Sequence, residues 1–323
     1  MKSFVRRQFE QHPSLKWRYQ LLASKGMAGL ISRSPSFITR KTKFCNKFLF
    51  IVGSGRCGST LLRRLLVEKC NIYIPPETYV LPSTYLAILR KSEYQWPDVV
   101  HHFVDSFENH PEFPTFGLAS LESFRRKAID WRGPEQHICR LVEELYWHFG
   151  KSVGIDSLWV GDKTPSYIFH LGIIQHMISG ARYIYLLRDG VDVAVSCKNA
   201  GRYDNFQDGA YRWVRSQQCW AAFKKTLAAE QYFEVRYEDM VANEQATLSR
   251  IMEKYDIPAR QDTIDVFTRL GDVNLRPHHG NALLPVTSSF VSKGREILSK
   301  DERRRLGVIL NSELENAGYE RIS

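Results

Sequence analysis

No apolar run in this sequence of 323 residues approaches the ~20 residues that an α-helix needs to cross a lipid bilayer. The longest apolar runs have the length of a buried strand, so the sequence predicts no transmembrane helix. The basic residues Lys2, Arg6 and Arg7 have no apolar stretch behind them, which argues against a cleaved secretory signal. We therefore expect a soluble, cytoplasmic protein that is at most peripheral to a membrane.

Cysteines are few, and none of the six forms a Cys-x-x-Cys pair. The histidines and carboxylates do not fall at ligand spacings either, so the sequence offers no metal centre. Nothing in the cysteine spacing indicates a disulfide framework. A reducing compartment is the default expectation.

The excess of positive charge is confined to the N-terminal part of the chain. Residues 1–48 contain eleven Lys or Arg and one acidic residue, Glu10, which account for the whole net charge of +10. Apolar and aromatic residues alternate with these charges, and we treat residues 1–43 as a basic arm. Such an arm could lie on an acidic membrane surface, or it could be a solvated extension packed on the domain. No nucleic-acid motif is present, so we expect no nucleic-acid partner.

From residue 44 to 323, apolar strands alternate with helical stretches, which is typical of a mostly parallel sheet with helices on both faces. We interpret this part as one domain with a helical insertion at about 83–150 that shapes a ligand pocket. In such sheets, ligands bind beyond the carboxyl ends of the strands. Strands are predicted at 47–52, 181–189 and 231–240, and 157–165 is predicted as a strand that ends in a loop. Helices are predicted at 60–69, 191–200 and 243–255.

A glycine-rich turn follows the first predicted strand, in FLFIVGSGRCGSTLLRRLL (48–66). Gly55 and Gly58 allow a sharp turn and a close approach of the backbone to a ligand. Ser59 and Thr60 begin a helix whose free N–H groups and positive dipole end favour an anion. The stretch predicts a phosphate-binding loop that uses the backbone N–H groups of 55–60, including that of Cys57. A plain connector between strand and helix is the alternative.

The loop departs from the nucleoside-triphosphatase pattern at one position. Gly53, Gly58 and Thr60 match that pattern, but Ser59 replaces the lysine that reaches the β- and γ-phosphates. The loop carries Arg56 as its cation instead, and a guanidinium can fork onto phosphate or sulfate oxygens. The lysine and metal arrangement of triphosphate hydrolysis is therefore missing.

Three stretches occur in order along the chain: GRCGSTLL (55–62), YLLRDGVDVAVSCKNA (185–200) and VRYEDMVANEQATLSRI (235–251). Together they resemble the sulfotransferases that use 3′-phosphoadenosine 5′-phosphosulfate (PAPS). The resemblance implies a P-loop-like three-layer α/β fold, PAPS as the donor, and no metal cofactor. It also implies that the first stretch binds the 5′-phosphosulfate and that Arg188 and Ser196 hold the 3′-phosphate.

Sulfuryl transfer to a hydroxyl needs a base at the acceptor proton and a cation near the bridging oxygen that leaves. In IPPETYVLP (74–82), Glu77 follows two prolines that stiffen the turn after the first helix. This segment resembles that of tyrosylprotein and some carbohydrate sulfotransferases, which implies Glu77 as general base and Arg56 at the leaving oxygen. Cytosolic small-molecule members use a histidine, so the alternatives are His101, His102 and His170.

Two further stretches resemble parts of the same families. GDKTPSY (161–167) is similar to a strand-end stretch of glycan-modifying members, which implies that Lys163 points at the donor sulfate or the acceptor. SSFVSKGREIL (288–298) is faintly similar to a late segment that closes on the 3′-phosphate, which makes Lys293 and Arg295 candidates. The alternative for Lys163 is an exposed lysine at the end of a strand. The alternative for Lys293 and Arg295 is a charge pair that flanks a helix.

These patterns predict a PAPS-dependent sulfotransferase. A glycan, a protein tyrosine, a lipid headgroup and a small metabolite all present an O–H to the same base, so the acceptor stays open. A nucleotide kinase or NTPase with a degenerate loop is a rival, which Ser59 and the pair Arg188 and Ser196 disfavour. The second rival is a membrane- or nucleic-acid-binding module without catalysis, which the basic arm would form.

Overall fold

The structure is a computed structural model that describes residues 45–262 and 285–323. The predicted basic arm at 1–43 lies outside the described residues, so its membrane contact stays a prediction. In the part of the chain that is described, no helix is both long enough and apolar enough to span a bilayer.

A parallel sheet of five strands forms the centre of the described structure. Its order is β2-β3-β1-β4-β5, and every neighbouring pair is parallel. All residues of β1 are buried, as expected for the central strand of a sheet covered on both faces. The strands are β1 (Phe48–Gly53), β2 (Ile72–Tyr73), β3 (Trp159–Asp162), β4 (Arg182–Leu187) and β5 (Tyr232–Arg236).

Helices surround this sheet, and the predicted α/β fold class is confirmed. The chain between β2 and β3 is helical and packs much of its aromatic content into the core. The helices of the described residues are α1 (Ser59–Lys69), α2 (Leu81–Leu89), α3 (Trp96–Glu108), α4 (Glu122–Ile129), α5 (Ile138–Ser152), α6 (Leu171–Met177), α7 (Gly190–Asn199), α8 (Phe206–Lys224), α9 (Tyr237–Ala242), α10 (Glu244–Tyr255), α11 (Lys293–Ile297) and α12 (Lys300–Asn316).

The strand predicted at 231–240 is too long. The strand ends at Arg236, and the next residue begins α9. Glu238 and Asp239 lie in the first turn of α9, where acidic side chains complement the positive end of the helix dipole. The two-residue strand β2 was not predicted because so short a stretch shows no periodicity.

A disulfide joins Cys45, just before β1, to Cys139 in α5. The spacing of the cysteines gave no sign of this pairing. They are 94 residues apart in the sequence, and no local spacing connects cysteines at such a distance. The remaining four are free thiols: Cys57, Cys70, Cys197 and Cys219.

The parallel arrangement brings the carboxyl ends of the strands to one edge of the sheet. The glycine-rich loop follows β1, Lys163 follows β3, Arg188 follows β4, and Tyr237 follows β5. Ligands of such sheets bind in the crevice outside these ends. The topology therefore gathers three of the predicted segments at one place.

Candidate active site

A cavity of about 820 Å³ lies at the carboxyl ends of the strands, within the usual size of ligand sites. Most of the predicted site residues line it. Lys163 is buried at its margin, the side chain of Cys57 is buried under the loop, and Arg295 lies elsewhere. The lining residues that were predicted are Gly55, Arg56, Gly58, Ser59, Thr60, Glu77, Arg188, Ser196 and Lys293.

The loop after β1 depends on backbone conformations that favour glycine. Gly55 has a φ of 79° and Gly58 a φ of 92°, and a side chain at Gly58 would overlap the ring of Tyr237. Arg56 is also left-handed, with a φ of 57°, and such outliers cluster at ligand sites. No described side chain caps the start of α1, so its first N–H groups stay available for an anion.

Lys163 contacts both Glu77 and Thr60. Lys163 Nζ donates to Glu77 Oε1 at 2.6 Å and to Thr60 Oγ1 at 3.3 Å. The Tyr79 hydroxyl donates to Glu77 Oε2. Lys163 is fully buried and Glu77 is 8% exposed, so the ion pair is shielded from water. One cation thus links the predicted base to the first turn of the loop helix.

A hydrogen-bonded network lies beneath this pair. Asp162 Oδ2 accepts from Thr78 Oγ1 at 2.7 Å and from the Tyr146 hydroxyl at 2.6 Å. Thr78 N donates to Thr164 Oγ1 at 3.0 Å, and Tyr167 contacts Thr78 Oγ1 through its hydroxyl at 2.6 Å. Burial raises the pKa of Asp162. Because Thr78 follows Glu77 and Asp162 precedes Lys163, the network fixes the two segments that carry the ion pair.

We expect Asp162→Ala to lower the free energy of unfolding by about 1–3 kcal/mol, because the Tyr146 and Thr78 hydroxyls would lose a buried acceptor. Urea unfolding followed by circular dichroism measures this loss. Asp204→Ala is the matched control, because Asp204 is exposed and substitutions at such sites usually stay within about 0.5 kcal/mol. Equal stabilities of the two variants would contradict the role of the network.

Arg188 ties three segments together. Its Nη1 donates to the Arg56 carbonyl oxygen at 3.2 Å, and its Nη2 donates to the Phe290 carbonyl oxygen at 2.7 Å. The guanidinium lies 4.4 Å above the ring centroid of Tyr237. Its buried Nε has no hydrogen-bond partner among the described residues. A buried donor of this kind normally has an acceptor, and the described part of the chain supplies none.

Arg56 and Ser196 are in direct contact. Arg56 Nε donates to Ser196 Oγ at 3.2 Å, so the loop cation touches a residue that was predicted for the other end of the nucleotide. Burial lowers the pKa of Arg56, and the nearby cations Arg202 and Arg188 lower it further. Arg56 and Arg188 line one cavity rather than opposite faces of the sheet.

Asp192 holds the late segment against α7. Its Oδ1 accepts from Gly294 N at 2.7 Å, and its Oδ2 accepts from Ser292 N at 2.9 Å. The same Oδ2 lies 3.4 Å from Arg188 Nη2. Lys293 is thereby brought to the cavity, where its Nζ lies 5.2 Å above the ring centroid of Phe290.

Arg295 faces away from the cavity. It forms an ion pair with Asp189 at 2.9 Å and donates to the carbonyl oxygens of Glu320 and Arg321. These contacts fasten α11 to the C-terminal segment. The geometry therefore indicates a structural role for Arg295 and does not support its predicted contact with a nucleotide.

A model described as the Sulfotransferase family matches residues 49–262, which is more than half of the chain. The protein belongs to this sulfotransferase family. It is accordingly a transferase that moves a sulfuryl group, and its family implies a hydroxyl-bearing acceptor.

Solved structures resemble this sulfotransferase, and two of them are sulfotransferase domains of larger systems. The sulfotransferase domain from the Synechococcus PCC 7002 olefin synthase has a TM-score of 0.59 and 20% identity, with 87% of this chain and 98% of that chain covered. The sulfotransferase domain from the curacin biosynthetic pathway has a TM-score of 0.55 and 19% identity, with 84% and 98% covered. Identities this low support the shared fold alone. No curated protein matches the chain.

The three histidines considered as alternative bases do not line the cavity of this sulfotransferase. His101 Nδ1 lies 3.1 Å from Arg125 Nη1, and His102 Nδ1 lies 3.3 Å from the Tyr94 hydroxyl. His170 is exposed at the start of α6. Within 45–262 and 285–323, no group of three or more His, Cys, Asp or Glu side chains could hold a metal ion.

Three residues of the sulfotransferase site were missed by sequence reasoning. Tyr79 contacts the predicted base, Asp192 anchors the late segment, and Tyr237 packs under both Gly58 and Arg188. Asp192 had a usable signal, since it stands four residues after Arg188 in the first turn of α7. Tyr79 and Tyr237 had none, because a single tyrosine after a motif shows no pattern.

Proposed function

We propose that this sulfotransferase uses PAPS as its donor and Glu77 as its general base. One contact carries the proposal: Lys163 Nζ lies 2.6 Å from Glu77 Oε1 and 3.3 Å from Thr60 Oγ1. A sulfuryl group held by the first turn of α1 would therefore lie close to both a buried cation and a carboxylate. Sulfuryl transfer needs both groups at one place.

The donor's two anionic ends match the cations of the cavity. The N–H groups at the start of α1 and the Arg56 guanidinium would bind the 5′-phosphosulfate. Arg188, Ser196 and Lys293 would bind the 3′-phosphate. The buried Nε of Arg188, which has no hydrogen-bond partner in the described part of the chain, supports this role because a phosphate oxygen is a strong acceptor.

In the proposed reaction, Glu77 accepts the proton of the acceptor hydroxyl on Oε2, the oxygen that the Tyr79 hydroxyl contacts in this structure. The acceptor oxygen then forms a bond to sulfur while the bond between sulfur and the bridging phosphate oxygen breaks. Negative charge develops on that bridging oxygen, where Arg56 and Lys163 stabilise it. The products are a sulfate ester and 3′-phosphoadenosine 5′-phosphate (PAP).

Titration calorimetry with PAP and with ATP tests the donor. We expect PAP to bind roughly 100-fold tighter than ATP, because only PAP has a 3′-phosphate for Arg188 and Ser196, and charged hydrogen bonds contribute about 1.5–3 kcal/mol each. Equal affinities, or a preference for ATP, would contradict the proposal and favour the nucleotide kinase or NTPase.

A further inference from the structure

Two arginines that the proposed donor contacts do not use also line the cavity. They are Arg202, which follows the end of α7, and Arg212 in α8. Both guanidinium groups approach Gly55: Arg202 Nη1 lies 3.3 Å and Arg212 Nη2 3.9 Å from the point where a Cβ would stand. Neither arginine pairs with a carboxylate among the described residues. Arg202 is exposed and Arg212 is half-buried, and within 45–262 and 285–323 no carboxylate pairs with either of these two neighbouring positive charges.

Arg212 is held in an orientation that suits a ligand. Its Nε donates to the Ser54 carbonyl oxygen at 2.7 Å, and its guanidinium lies 4.9 Å above the ring centroid of Phe169. These contacts fix the plane of the guanidinium, and no described carboxylate occupies its Nη groups. An arginine fixed in this way loses little conformational entropy when it binds a carboxylate or a phosphate.

The position of Arg212 separates it from the nucleotide contacts. Phe169 ends the 3₁₀ turn Pro165–Phe169, which begins two residues after Lys163, and Ser166 in that turn lines the cavity. Arg212 therefore stands on the side of Lys163 and Glu77. Arg188 stands on the side of Tyr237 and Phe290. Arg202 approaches the same place over Gly55, so the two guanidinium groups lie at the junction of the donor loop and the part of the cavity that contains Lys163 and Glu77.

We propose that Arg202 and Arg212 bind an anionic group of the acceptor, so that this enzyme sulfates hydroxyl compounds that already carry a carboxylate or a phosphate. This substrate class rests on the proposed function, because it assigns the remaining half of the same cavity. A neutral acceptor would give the two guanidinium groups no anionic partner, so we expect it to bind more weakly than an anionic one.

Matched pairs of acceptors test the proposal. The probes are p-nitrophenyl β-D-glucuronide and its amide, 4-hydroxyphenylacetate and its amide, and glycerol 3-phosphate and glycerol. Each member is measured by ³⁵S transfer from labelled PAPS and by equilibrium binding to protein saturated with PAP. The variants are Arg202→Gln and Arg212→Gln. Arg305→Gln is the control, since Arg305 is exposed on α12.

We expect the anionic member to bind roughly tenfold to a hundredfold tighter than its neutral partner, as charged hydrogen bonds to arginine predict. Arg202→Gln and Arg212→Gln remove most of this preference and change the Kd for PAP by less than about threefold. The control behaves as the wild type. Arg202→Gln is the sharper variant, because Arg212 also holds the Ser54 carbonyl group.

Two results would overturn the proposal without touching the donor. The first is a wild-type protein that binds PAP but does not prefer the anionic member of any acceptor pair. The other is a loss of PAP affinity in both variants with equal effects on charged and neutral acceptors, which would assign the arginines to the donor. A wild-type protein that does not bind PAP would instead overturn the proposed function, and the acceptor class with it.

Discussion

Glu77→Gln is expected to lower kcat roughly 10²- to 10⁴-fold, the range that a positioned general base contributes. Glutamine keeps the size of the side chain, and its amide oxygen can still accept a hydrogen bond from Lys163 Nζ. It cannot take the proton of an acceptor hydroxyl. Because Glu77 makes none of the proposed contacts to the 3′-phosphate, the Kd for PAP is expected to stay within about threefold of the wild type.

Labelled sulfate transfer to the best acceptor of the matched pairs measures kcat, and calorimetry measures PAP binding. Glu93→Gln is the control, because Glu93 is exposed and forms only a loose pair with Lys91 at 4.0 Å. A loss in kcat of less than about tenfold with unchanged PAP affinity would remove Glu77 from the role of base. A parallel loss of PAP affinity would show that the substitution disturbs the loop through Lys163.

The parts of the site that were predictable are those that follow strands directly. A glycine-rich turn, a lysine and an arginine at the ends of three apolar strands converge because parallel strands end at one edge of the sheet. The order of these segments in the sequence was therefore enough to bring Thr60, Lys163 and Arg188 to one cavity.

The sequence did not predict which side chains of a segment face the cavity. Lys293 and Arg295 are two residues apart, yet Lys293 lines the cavity while Arg295 pairs with Asp189. The difference arises from Asp192, whose carboxylate binds the backbone N–H groups of Ser292 and Gly294. A contact across 100 residues leaves no local pattern, so the sequence alone could not separate the two candidates.

The hydrogen-bonded network under Glu77 also joins segments that are far apart in the sequence, so no local pattern predicted it. Asp162 reads as the end of a strand, and Thr78 reads as a turn residue, but their hydrogen bond spans 84 positions. Hydroxyl groups from two other segments, those of Thr78 and Tyr146, satisfy Oδ2 of this fully buried carboxylate. That requirement exists only once the segments are packed together.

Arg188→Gln is expected to raise the Kd for PAP by about 10²-fold or more, because it removes a charged donor that the proposed 3′-phosphate contact needs. Glutamine is too short to keep the Nη contacts to the carbonyl groups of Arg56 and Phe290, so the melting temperature is measured beside the Kd. Arg188→Lys keeps the charge but loses the planar fork, so an intermediate loss is expected.

Arg236→Gln is the matched control for this loss. Arg236 also ends a strand, donates to the carbonyl oxygens of Ala317 and Gly318, and lies over the ring of Tyr319, but it does not line the cavity. A general weakening of strand-end contacts would lower the melting temperature of both variants without separating their PAP affinities. A selective loss in Arg188→Gln assigns the effect to a bound phosphate, whereas equal PAP affinities in the two variants would remove Arg188 from the donor site.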